Sequence, residues 1–183
     1  MQRRTALTTA LTSTLTATLA ATLPGVARAL YDPRPHPLLA AAVGAWAGTL
    51  TYLDWSRPDT RVTLPCQLSV SLAAPQELAL FFEFDDGPGK RVYSYERMAF
   101  DFAAQALVWS TGIAKPGTSQ HRITRAEAGG EGSQIAFERA VDDRIDRHVL
   151  AVVPKTLAWS KTEHAASGTA TLRNAYALQR VGS

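Results

Sequence analysis

The chain has 183 residues, with 19 Lys and Arg against 16 Asp and Glu for a net charge of +3. Arg3, Arg4 and Arg28 are the only charges in the first 29 positions; 19 less these 3 leaves 16 basic against 16 acidic residues in the remainder, which is neutral. That balance removes the positive excess that nucleic-acid or anionic-membrane binding favours, and the length confines the chain to about one domain. A single cysteine, Cys66, excludes an internal disulfide and any cysteine-cluster metal site.

Residues 1–29 have the charged start, apolar run and small-residue end (Ala27-Arg28-Ala29) of a secretory signal. The alternative is a retained membrane anchor, since residues 5–23 are uncharged for long enough to span. The density of Thr and the helix-breaking Pro24-Gly25 weigh against it. Cleavage would leave a mature chain starting at Leu30, with no inserted segment, in the periplasm or secreted. Arg3-Arg4 also fits a twin-arginine leader, so both the general and the twin-arginine export routes stay open.

Beyond the leader, residues 30–43 read as a Pro-rich extended lead-in (Pro33, Pro35, Pro37) followed by one short helix over His36–Val43. From Gly44 the period changes to two, and residues 44–183 form the expected domain. The first strand is Trp46–Trp55. In the second, Arg61–Leu72, the residues Val62, Leu64, Cys66, Leu68, Val70 and Leu72 share one parity, while polar residues fill most of the other. Only a sheet with one dry and one wet face needs that alternation. Leu78, Leu80, Phe82 and Phe84 continue it, and Asp85-Asp86-Gly87-Pro88-Gly89-Lys90 supplies the turn chemistry of a hairpin. Strands over Arg91–Phe100, Ala106–Thr111, His121–Glu127, Ser133–Val141, Arg144–Val153, Leu157–His164 and Thr169–Val181 complete a set of ten. Their short links allow only antiparallel neighbours. Such a set suggests a closed barrel or a sandwich, and the fold expected is an all-β, antiparallel up-and-down barrel of about ten strands, since closure is the simplest way to remove aggregation-prone edges. Polar residues on the second face of nearly every strand exclude a transmembrane barrel.

Gly44-Ala45-Trp46 opens the first strand after a helical turn, and a basic residue, Arg180, sits in the last. This arrangement resembles the calycin superfamily of lipocalins, fatty-acid-binding proteins and lipocalin-like bacterial domains. The stretches Gly48–Tyr52 and Asp85–Lys90 are similar to small exported bacterial proteins. The resemblance implies that Trp46 closes one end of the barrel with Arg180 packed across its ring, a cation–π contact. It also implies a ligand cavity, for which the inward parity selects Trp46, Tyr52, Phe82, Phe84, Trp109, Phe137 and Tyr176. The Arg-x-Tyr carboxylate clamp of fatty-acid binders is not reproduced, because Arg173 and Tyr176 are three apart and fall on opposite faces of a strand.

No nucleophile elbow, zinc-protease, dinucleotide or complete phosphate-loop motif occurs, so no catalytic residue, metal or cofactor is assigned. His121, His148 and His164 are the candidates for an imidazole ligand to haem or a metal, against the plainer reading of surface or satisfied histidines. Asp142, Asp143 and Asp146 read as a solvated turn with Arg144 and Arg147. Tyr93 and Tyr95 share parity with Arg91 and Arg97, and are read as facing outward. The function expected is a binding or carrier protein for a small apolar or amphipathic molecule. A filled structural barrel and an enzyme on the same scaffold are the alternatives. Converging ionisable groups with shifted pKa values would favour the enzyme, and a solid interior would favour the structural role.

Overall fold

The computed structural model describes residues 34–113, 117–130 and 132–182. The leader, its cleavage point and the first residues of the lead-in lie outside these. One short helix, α1 (Pro37–Ala42), precedes ten strands: β1 (Gly44–Leu53), β2 (Arg61–Ala74), β3 (Glu77–Asp85), β4 (Arg91–Asp101), β5 (Ala106–Thr111), β6 (Gly117–Gly129), β7 (Gly132–Val141), β8 (Arg144–Val153), β9 (Thr156–Ala165) and β10 (Ala170–Arg180). Every strand pairs antiparallel with its sequence neighbours, and β10 returns to pair with β1, which closes the barrel. No helix among the described residues is long and apolar enough to cross a membrane.

The period-two pattern is realised residue by residue. In β2, Cys66, Leu68 and Val70 are buried while Pro65, Gln67, Ser69 and Ser71 are exposed. In β4, Met98 and Phe100 are buried, and Tyr93 and Arg97 face outward with Arg91. The β3–β4 reversal closes through Asp86 N–H to Lys90 C=O at 2.9 Å and Lys90 N–H to Gly87 C=O at 3.0 Å. Gly87 and Gly89 there hold φ of 105° and 71°, which a side chain would resist.

One end of the barrel is sealed by α1. Pro37 starts the helix, its three buried residues are Leu38, Leu39 and Ala42, and it lies against β2, β6, β7 and β8. In register, Trp46 of β1 is opposite Arg180 of β10, so both point to the same face. The Trp46 indole N–H donates to Ala42 C=O at 2.9 Å. The Arg180 guanidinium lies 4.1 Å from the Trp46 ring centroid. It donates to the carbonyls of Ala41 (2.9 Å), Val43 (2.8 Å) and Pro154 (3.0 Å). A cation thus satisfies the orphan carbonyls at the helix C-terminus. Two glycines make room for this. A Cβ on Gly44, whose φ is 142°, would meet the Arg180 guanidinium, and one on Gly48 would run into the Ala177 carbonyl across the sheet.

Three features depart from strand parity and chain neighbourhood taken alone. Leu172 shares nominal parity with Tyr176 and Leu178, but a bulge between Leu172 and Asn174 resets the register and turns it outward, 39% exposed. Asp146 is not part of the turn. Asp142 and Asp143 make a two-residue reversal, Asp142 with φ of 52°, whereas Asp146 lies within β8 with its side chain 1% exposed. The third concerns the interior, which is greasy only in the half near α1. There Leu68, Leu78, Leu80, Met98, Leu107, Ile135, Leu157 and Leu178 pack around Trp46; the opposite half is polar.

Because the seal is one interdigitated unit, Trp46→Ala should destabilise the fold by about 3–5 kcal/mol. Gly48→Ala should cost about 1–3 kcal/mol by overpacking against backbone. Thermal melting of both variants checks this: a Gly48→Ala protein melting with the parent would show that the β1–β10 approach is looser than described.

Candidate functional site

The polar half encloses a cavity of about 410 Å³. Its walls come from β4 (Glu96), β5 (Trp109, Thr111), β6 (Gly117, Thr118, Ser119, His121), β7 (Arg139), β8 (Asp146, His148), β9 (Trp159, Lys161) and β10 (Asn174, Tyr176). Most of these side chains are delivered by the inward parity of their strands; Thr118, of the other parity, contributes at the strand end. Glu96 shares the inward parity with Met98 and Phe100, Asp146 and His148 with Leu150 and Val152, and Trp159 and Lys161 with Leu157.

Aromatic rings form the inner wall. Phe137 stacks on His148 at 4.9 Å between centroids with a 6° interplanar angle. Trp109 meets His148 edge-on at 5.1 Å and Trp159 at 5.3 Å, and Trp159 continues to Tyr176 at 5.7 Å. His121 sits 5.8 Å from His148. The two imidazoles share one apolar box.

That box decides their protonation. Burial among rings, helped by the nearby Arg139, holds His121 down at about 4, and burial with the neighbouring His121 holds His148 at about 3. Both are neutral at physiological pH. Ser119 Oγ lies 2.9 Å from His121 Nε2, while His121 Nδ1 is buried without a partner among the described residues. The Ser–His pair therefore lacks the orienting acid of a hydrolase triad. Glu96 accepts from Ser94 Oγ–H at 3.1 Å and from the Trp109 indole N–H at 2.9 Å. Burial still raises its pKa, outweighing both hydrogen bonds. Burial also raises the Tyr176 phenol and pushes the Cys66 thiol up to about 12, which leaves it an inert packing group. For Asp146 burial acts upward too, but hydrogen bonds from Lys161 and Arg144 prevail and hold the carboxyl below its ordinary range.

Of the residues selected from sequence for a cavity, Trp109 and Tyr176 line it. Trp46, Phe82 and Phe137 are packed solid in the core, Phe84 is partly buried against it, and Tyr52 is half-buried on β1 away from the lining. Of the histidines, His121 and His148 enter the cavity, whereas His164 stands opposite the outward Ile145 on the outer face. Glu96, Arg139, Asp146, Trp159 and Lys161 were missed. Parity would have found them, but a charge on an inward position reads as an exception until the neighbouring strands are in register. Among the described residues no cluster of three or more His, Cys, Asp or Glu side chains fits a metal ion.

No family model matches the chain, and no curated protein gives a significant sequence match. Solved structures do. The crystal structure of Rv2717c from M. tuberculosis aligns with a TM-score of 0.58 at 10% identity, covering 81% of this chain and 99% of that one. The S-type phycobiliprotein lyase CPES from Guillardia theta aligns with a TM-score of 0.53 at 9% identity, covering 79% of this chain and 91% of that one. At these identities the likeness shows the fold alone, which in this chain is a closed antiparallel barrel of ten strands.

The buried neutral imidazoles make stability pH-dependent. A histidine with a lowered folded pKa binds its proton in the unfolded chain first, so stability is complete above the unfolded value of 6.5 and is lost as pH falls toward 4 and 3. Glu96, with its pKa raised, works in the opposite direction. Asp146 and Glu138, both held low, add losses only below the ordinary carboxylate range. Lowering the pH from 7.5 to 5 should cost about 2 kcal/mol per histidine, measured by urea unfolding. A His121→Gln/His148→Gln double variant should lose most of that slope; an unchanged slope would mean that the rings are solvated.

Proposed function

We propose that the chain is an exported binding or carrier protein, periplasmic or secreted, that holds a small amphipathic molecule in the polar half of its barrel. The observation that carries this reading is the cavity itself. It is roomy, walled by Trp109, Trp159 and Tyr176, and edged by polar groups such as His121 Nδ1 that lack protein partners among the described residues. Small-molecule sites are concave spaces that combine apolar walls with placed polar groups; here three aromatic rings stand among a larger set of polar side chains. A buried polar atom left without a partner costs stability, so such groups stand in for contacts a ligand or ordered water completes. The leader pattern of residues 1–29 supports export. A filled structural barrel loses support, since the space is there.

An enzyme on the same scaffold is the second reading. Glu96, His121, His148 and Tyr176 converge on one cavity with shifted pKa values, a pattern common at acid–base sites. The similar barrel of a phycobiliprotein lyase also supports it. Fold alone does not separate the two.

Native mass spectrometry with an absorption spectrum, on protein taken from the export compartment of its own host, tests the proposal. The expected result is an N-terminus at Leu30 and an extra mass released on denaturation. A pigment band would mean that the ligand is chromophoric and would point to His121 or His148 as its neighbour. A full-length N-terminus overturns the export reading. A clean apo mass, together with no uptake of an environment-sensitive dye, overturns the carrier reading.

A further inference from the structure

The acids around the cavity have cationic partners to spare. Asp146 lies 3.0 Å from Arg144 Nε and 2.8 Å from Lys161 Nζ. Glu163 lies 3.3 Å from Lys161 and 3.9 Å from both Arg144 and Arg173. Arg139 reaches this group only at 4.0 Å, on Asp146, and its buried Nε–H has no acceptor among the described residues. Four cations (Arg139, Arg144, Lys161 and Arg173) therefore face two acids. The remaining carboxyl, Glu96 on β4, already takes donors from Ser94 and Trp109. Asp146 Oδ2 and Glu163 Oε1 are themselves buried without an aligned hydrogen bond, so the surplus is of positive charge rather than of donors, and it sits at Arg139, whose nearest acid is 4.0 Å away.

Position agrees with charge. Arg139 stands two residues from the end of β7, opposite Asp146 in register, toward the barrel end away from α1. Phe137, two residues deeper on the same face, is fully buried and stacks on His148. A ligand lying against Trp109, Trp159 and Tyr176 would thus put its apolar body inward and its charge at the mouth, where desolvation costs least. The planar guanidinium offers paired N–H groups that match a two-oxygen anion.

We infer that Arg139, backed by Lys161, is an oxyanion subsite, and that the molecule carried is an amphipathic anion with a flat apolar body. This rests on the ligand-binding reading above and narrows it.

Two dyes with nearly the same aromatic body separate the two claims: anilinonaphthalene sulfonate, an anion, and the uncharged phenylnaphthylamine. Fluorescence titration of the wild-type chain should show both binding. Arg139→Met should weaken the sulfonate about tenfold or more, with phenylnaphthylamine unchanged within about threefold. Arg139→Lys should restore part of the loss. Raising salt should weaken the sulfonate alone in the wild type, and much less in Arg139→Met. If Arg139→Met leaves sulfonate binding unchanged, or weakens both dyes equally, the subsite is overturned and the cavity reading stands. If neither dye binds the wild type, the cavity reading itself falls. Should Arg139→Met fail to fold, the salt dependence of the wild-type titrations decides, and a sulfonate affinity indifferent to salt overturns the subsite.

Discussion

The barrel depends on one contact set at its sealed end, where Trp46, Arg180 and α1 hold one another. A short helix has little stability of its own, because six residues barely repay helix nucleation. It persists because its last carbonyls take N–H donors from Trp46 and Arg180, and because Leu38 and Leu39 are buried in the barrel end. The same contacts tie the first strand to the last. Arg180 and Trp46 are cross-strand neighbours on β10 and β1, so the cation that caps the helix also sits on the seam where the sheet closes on itself. Gly44 and Gly48 belong to this arrangement through the space they leave, for the guanidinium in one case and for the Ala177 backbone in the other.

With that end sealed and packed, the other is free to be irregular. The core from Leu68 to Leu178 supplies the hydrophobic burial that stabilises the fold. The polar half then tolerates side chains that a core could not. Asp146 is buried yet ionised because Lys161 and Arg144 compensate for lost hydration; His121 and His148 are buried and therefore neutral. The buried acid is paired and the imidazoles are discharged, while His121 Nδ1 and Arg139 Nε–H are left without protein partners among the described residues.

This division along the barrel axis gives the cavity its direction. Aromatic rings define its floor and sides, and the charged ring of Arg139, Asp146 and Lys161 defines its rim. A molecule with one apolar and one charged end has a single favourable orientation in such a space. The same gradient places Glu96 and the two imidazoles beside the aromatic wall of the cavity.

The alternation of Val62 to Leu72, the aromatic ladder of Phe82 and Phe84 and the Asp-Gly-Pro-Gly turn determined by themselves that this chain is built of antiparallel strands, because each is a local pattern that only strands and a hairpin accommodate; closure into a barrel rather than a sandwich is decided by the pairing of β1 with β10. The pairing of Trp46 with Arg180 was implied by the resemblance that Gly44-Ala45-Trp46 carries at the start of the first strand, with a basic residue in the last. The site was less so. Trp109 and Tyr176 stood out by parity, but Phe82 and Phe137 have the same parity and are packed solid, since depth along the barrel axis decides between core and cavity and parity carries no depth. Leu172 left the interior because a bulge, invisible in composition, shifted the register by one residue. Asp146 passed for a turn residue among its charged neighbours in the chain. Its burial is compensated by Lys161 from the next strand, and a partner brought by strand pairing exists only once the sheet has formed.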